Sequence, residues 1–180
     1  MGRYRPPEAP KAAIITAEGF ARLQQELNYL WKEKRPEVTA RVAAAAALGD
    51  RSENADYIYG KRQLGEIDRR IRYLDKRIST MQVVDRLPSD TSKIYFGAWV
   101  ELRHCETDQS YRYRIVGPDE IDQDPAYISI DSPMAKVLLG KAVEDEIAIF
   151  QTTKSSRVLS FEAEPEATRY EITGIRYSTE

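Results

Sequence analysis

Leu64, Ile67, Ile71, Leu74, Ile78 and Met81 are separated by alternating steps of three and four residues. That spacing lays six apolar side chains along one narrow stripe of a helix, over about five turns, and a stripe so narrow calls for a partner helix. The partner pattern lies upstream. Phe20, Leu23, Leu27 and Leu30 follow the same rhythm, and Trp31, Arg35, Val38, Val42 and Ala45 continue it one position late. A one-residue slip is an irregularity in the seam. Pro36 falls inside the pattern, where it bends the helix or marks the slip. Thr16 is placed to cap the first helix. Each helix runs to about 30 residues, hence roughly 45 Å. Gly49 stands where the first must end. Two helices joined by so few residues pack antiparallel. The segment ALGDRSEN then forms the tip of a helical hairpin.

Beyond residue 85 the period changes. DRLPSDTSK reads as a linker, and after it YFGAWVELR, SYRYRIVG, AYISI, EIAIF and RYEITGIRY read as five short strands. Ser132, Pro133 and Gly140 bracket MAKVLL as N-cap, first-turn proline and closing glycine of one short helix. The chain is therefore expected to be α+β. Residues 1–13 read as a disordered extension, 14–84 as the hairpin, 85–94 as the linker and 95–180 as a small sheet domain. The polar, Glu-rich stretch 152–168 reads as a long loop or mobile hairpin. No internal repeat is present.

Charge divides the chain. Residues 1–86 carry 17 basic and 12 acidic side chains, and residues 97–180 carry 9 and 16. The halves are +5 and −7, a split that suggests different partners for the two domains. A single cysteine, Cys105, excludes an internal disulfide and a cysteine-built zinc cage. The one histidine, His104, cannot assemble a metal site by itself. The N-terminus lacks the apolar run of a secretory signal and no segment approaches a membrane span, so a cytoplasmic protein is expected.

Two clusters carry the functional question. Asp50, Glu53 and Asp56 are three apart at the tip. Read structurally, Asp50 and Glu53 form the D-x-x-E version of a capping box at the start of the second helix. Read chemically, two carboxylates on an open tip complete a magnesium site whose remaining ligands another molecule supplies. The second cluster is Lys61, Arg62, Arg69, Arg70, Arg72, Lys76 and Arg77, set against Glu66, Asp68 and Asp75. Pairs such as Asp68 with Arg72 would make it a solvated face. Its excess of four cations exceeds what pairing needs and suits a phosphate backbone.

The run Leu48-Gly49-Asp50-Arg51-Ser52-Glu53-Asn54-Ala55-Asp56-Tyr57 resembles the tip motif of the bacterial transcript cleavage factors, the Gre family. ELNYLW (26–31), RPEVT (35–39), EIDRRIRYLDK (66–76), FGAWVE (96–101), RIVG (114–117) and AYISIDSPMA (126–135) resemble its GreB branch. The likeness spans roughly residues 14–150. It implies an FKBP-like C-terminal domain and a monomer that binds RNA polymerase. The hairpin would enter the secondary channel, where Asp50 and Glu53 help hold the second Mg2+ and orient a water. The polymerase would cleave the nascent RNA 3′ end, so the factor is not itself an enzyme. The basic cluster would contact extruded RNA, and Asp131 and Pro133 would dock on the polymerase outside the channel. The rival readings are a channel-occupying inhibitor and a coiled-coil adaptor with an isomerase-like module. The chain departs from the family pattern at Glu144-Asp145, in its longer acidic C-terminal stretch, and in about a dozen residues ahead of the first helix.

Overall fold

The computed structural model describes residues 10–49, 53–150 and 167–177. The elements run β1 (Ile14–Thr16), α1 (Ala17–Tyr29), a π-helical turn (Leu30–Lys34), α2 (Arg35–Ala47), α3 (Ala55–Thr80), β2 (Gln82–Val84), β3 (Trp99–His104), β4 (Ser110–Val116), β5 (Tyr127–Ser129), α4 (Pro133–Leu138), β6 (Glu146–Phe150) and β7 (Ala167–Arg176). They form two compact units. Residues 17–83 are one, and the chain up to Thr16 joins residues from Val84 onward in the other.

In the helical unit the seam irregularity has a clear physical form. The Arg35 N–H donates to the Leu30 carbonyl, five residues back, so the helix takes one wide turn between Leu30 and Lys34. A π turn absorbs one extra residue, which is the slip in the apolar spacing. It also sits where Pro36, lacking an N–H, leaves the ordinary i→i−4 ladder incomplete. After that turn Val38 is fully buried against Ile67 and Ile71, with Leu27, Leu30, Val42 and Leu64 packed around them. Burial contributes roughly 1.5–3 kcal/mol for each such aliphatic side chain. Trp31 departs from the seam. It remains 57% exposed, and the Arg35 guanidinium lies over its ring at 5.6 Å. Arg35 itself reaches across the hairpin to Asp68, Nε to Oδ1 at 2.8 Å. A charged residue at a seam position is thereby satisfied. Near the tip the helices approach closely at Gly60, where a Cβ would stand 2.6 Å from Cγ2 of Val42.

The other unit holds a mixed five-stranded sheet in the order β5-β4-β3-β7-β6. The β4–β5 pair is parallel and the other neighbours are antiparallel. All five strands fall on the alternating segments. Their core face supplies Val100, Leu102, Ile115, Ile147 and Ile172, and α4 adds Ala135 and Leu138. Ser132 caps α4 as expected, its Oγ accepting from the Ala135 N–H at 3.1 Å. β1 and β2 are short strands of three residues each that the sequence patterns did not indicate.

The stretch 1–13, read as a disordered extension, is described from residue 10 onward. Residues 1–9 lie outside the described residues, but Ala12 donates its N–H to Oδ2 of Asp131 at 2.9 Å. Thr16 donates both its N–H and its hydroxyl to the carboxylate of Glu120, which is 1% exposed. The same carboxylate accepts from the Gly117 N–H at 2.8 Å. Gly117 has no space for a side chain, because a Cβ would collide with the Ile14 carbonyl oxygen. Glu120 thus holds three donors from two distant stretches of chain in one buried clasp.

Candidate functional site

The tip is built around a residue that the spacing argument passed over. Asn54, not Asp50, caps α3, its Oδ1 accepting from the Tyr57 N–H at 3.1 Å. Its Nδ2 donates at 2.9 Å to the carbonyl of Ala45 near the end of α2. One amide side chain therefore satisfies an orphan donor at one helix start and an acceptor at the other helix end. Asn directly ahead of the first helical residue is itself an N-cap signal, and the D-x-x-E spacing masked it. Gly49 leaves α2 with φ +116°, a backbone conformation that suits glycine. Asn54→Ala is expected to destabilise the hairpin by about 1–2 kcal/mol, measurable as a lower melting temperature of the helical signal.

Asp50 lies outside the described residues, as do Arg51 and Ser52. Glu53 is exposed in the turn immediately before the cap. Asp56 is exposed in the first turn of α3, where a carboxylate complements the helix dipole. A groove of about 430 Å³ opens between α2 and α3 beside it, with Arg41, Leu48, Tyr59 and Gln63 among its walls. Leu48 and Tyr59 are 83% and 69% exposed, apolar surface at the tip that composition gave no reason to expect. Among the described residues no group of three or more His, Cys, Asp or Glu side chains is arranged to hold a metal ion.

The basic cluster separates into two sets. Arg70 makes a forked pair with Glu26 of α1, at 2.7 and 2.8 Å. Arg62 pairs with Glu66 at 3.3 Å. Arg77 lies half-buried in the last turn of α3. Lys61, Arg69, Arg72 and Lys76 are exposed, and none is held in an ion pair among the described residues. At 100° per residue these four fall within roughly one quarter of the helix circumference, opposite the buried Ile67, Ile71 and Leu74. They form a cationic stripe along α3, interrupted at Gly65.

In the sheet unit Pro133 is exposed in the first turn of α4. Asp131 is half-buried, and its carboxylate holds the Ala12 N–H rather than stiffening the start of α4, which Ser132 performs. His104 closes β3, its Nδ1 accepting from the N–H groups of Glu106 and Thr107 at 3.1 and 3.2 Å. Cys105 is exposed and unbonded through sulfur. No helix among the described residues is long and apolar enough to cross a membrane.

Comparison with known proteins places these features. Residues 13–83 match the family model described as transcription elongation factor, N-terminal, and residues 89–177 match transcription elongation factor, GreA/GreB, C-term. The chain is 57% identical over 146 residues to transcription elongation factor GreB of Xanthomonas axonopodis pv. citri, covering 81% of this chain and 87% of that protein. It is 54% identical to the GreB of Pseudomonas aeruginosa, covering 83% and 88%. It is 57% identical to that of Haemophilus ducreyi, covering 77% and 85%.

Proposed function

This chain belongs to the GreA/GreB family of transcription elongation factors, and on that premise we propose that it rescues backtracked RNA polymerase by stimulating cleavage of the extruded RNA 3′ end. The hairpin enters the secondary channel and carries its acidic tip to the polymerase active site. The factor is not a nuclease. It completes a site that the polymerase already has.

One observation carries this reading. The cap of α3 is Asn54, so Glu53 is exposed and is not spent on closing the helix. A loop that needed acid only for capping would have no use for it. The donor chemistry fits a hard divalent ion such as Mg2+, which takes carboxylate oxygens and keeps several waters and substrate phosphates. Asp50 and Glu53 would hold the ion jointly with the polymerase. When bound, it supplies charge neutralisation at the scissile phosphodiester and a polarised water. The protein's own part is to present Glu53, to brace the two helix ends through Asn54, and to keep the RNA backbone against the stripe formed by Lys61, Arg69, Arg72 and Lys76. The test is a transcript-cleavage assay on stalled elongation complexes with and without the protein. Cleavage of labelled RNA by the protein and magnesium alone would overturn the division of labour.

The stripe has its own signature. Replacing Lys61, Arg69, Arg72 and Lys76 together with Ala should weaken action on deeply backtracked complexes more than on shallow ones, since only long extruded RNA reaches them. Four lost phosphate contacts should flatten the salt dependence of single-strand RNA binding by about three logarithmic units per decade. Equal loss on both substrates would return these residues to a solvated face.

Docking through Asp131 and Pro133 is tested separately. Asp131→Ala should weaken polymerase binding, with activity recovered at high factor concentration. Asp131→Asn keeps an acceptor for Ala12 and so isolates the role of the charge. A normal affinity for the Asn variant would make Asp131 a tether for the N-terminal segment.

A further inference from the structure

The outward face of the C-terminal sheet carries an arrangement that the cleavage mechanism does not use. By strand register, Tyr127 of β5, Arg114 of β4, Trp99 of β3 and Arg176 of β7 stand in one row across four neighbouring strands. Val100, Leu102, Ile115 and Ile172 alternate with this face and fill the core. The Arg112 guanidinium lies 4.1 Å over the Trp99 ring. Arg114 is wedged between Trp99 and Tyr127, at 5.8 and 5.4 Å from their rings, and its Nη1 donates to the Tyr127 hydroxyl at 2.8 Å. The two rings meet edge to face, centroids 5.9 Å apart.

The charge on this face runs against its surroundings. Residues 97–180 have 9 basic side chains among 16 acidic ones. Five of the nine, Arg103, Arg112, Arg114, Arg169 and Arg176, lie on this side of the sheet by register, against Glu101, Glu146 and Glu171, so the face is +2 in a stretch that is −7. Arg103 is engaged by Glu171, and Arg176 by Glu101 at 3.2 Å. Arg112 has no ion pair among the described residues. Stacking limits the freedom of a guanidinium, whose N–H fork recognises a carboxylate or phosphate with two parallel bonds.

We propose that this face docks a short acidic segment of a partner protein, whose carboxylates meet Arg112 and Arg176. Two features favour carboxylates over a nucleic acid strand. Arg112 already covers the Trp99 ring, so no open aromatic platform remains for a base. A phosphate chain charged along its whole length would also meet the acidic remainder of the domain, whereas a short segment needs only the local cations. The inference rests on the sheet alone and is independent of the cleavage reading.

The test uses the full chain with Trp31→Phe, which leaves Trp99 as the sole indole. Acetylated hexaglutamate peptide is titrated at low salt against Trp99 emission, beside a uridine hexanucleotide. The peptide should shift the emission saturably, and Arg112→Gln should weaken it about tenfold with an unchanged melting curve, as expected for losing a charge-assisted pair. Glu101→Gln should strengthen binding by releasing Arg176. No saturable response to the peptide, indifference to Arg112→Gln, or weaker binding in Glu101→Gln would overturn the proposal. Tighter binding of the hexanucleotide at Trp99 would assign the face to nucleic acid instead.

Discussion

Asp50→Asn and Glu53→Gln are each expected to lower stimulated RNA cleavage by about two orders of magnitude, the usual scale for removing one group that stabilises transition-state charge. Both substitutions keep size and remove only the charge that attracts a divalent ion. Glu53 is exposed and the cap of α3 belongs to Asn54, so Glu53→Gln should change stability by no more than about 0.5 kcal/mol. The variants should bind polymerase as the unaltered protein does and, in excess, compete with it. The measurement is cleavage rate against factor concentration, with melting curves in parallel. Full activity in either variant would remove its carboxylate from the mechanism. A large drop in melting temperature would make that carboxylate structural after all.

Glu120→Ala should produce the largest loss of stability among single changes in the sheet unit. It deprives the Gly117 N–H, the Thr16 N–H and the Thr16 hydroxyl of their shared carboxylate acceptor in a site that is 1% exposed. Leaving buried donors without their acceptor costs about 1–3 kcal/mol each, so a total of about 3 kcal/mol or more is expected. Glu120→Gln retains one acceptor oxygen and should fall between. Hydrogen exchange is the discriminating readout: Ile15 and Thr16 amides should lose protection first, because the clasp is what fastens that stretch to the loop at Gly117. Unchanged protection there would mean that the Glu120 carboxylate is not what holds the segment.

The helical and strand content was legible because it rests on periodicity. Leu64 to Met81 could serve only one face of one helix, and the five alternating stretches could serve only half-buried strands. Even the slip between Leu30 and Trp31 was visible, since an extra residue in a heptad seam must be taken up somewhere. The capping of α3 was misread. Asp50 and Asn54 are both competent cap residues, and the choice between them depends on where the chain re-enters helical geometry after Gly49. Pairing depends on the facing helix in the same way. Asp68 has Arg72 one turn away along its own helix, but Arg35 on the facing helix is placed for a 2.8 Å bond.

Sequence by itself determined the two-part organisation, the antiparallel hairpin, the acidic tip and the cationic excess on the second helix, because each is a local pattern read over a few turns or strands. Tertiary structure decided which of those charges are spent and which are available. Arg70 and Arg62 are neutralised by Glu26 and Glu66, while Lys61, Arg69, Arg72 and Lys76 remain as a stripe. It also set Asp131 against Ala12, 119 residues away, and Glu120 against Thr16, 104 residues away. No spacing rule reaches so far. A hydrogen bond between distant stretches depends on the folded path of everything between them, and a charge is free or paired only with respect to neighbours that the fold supplies.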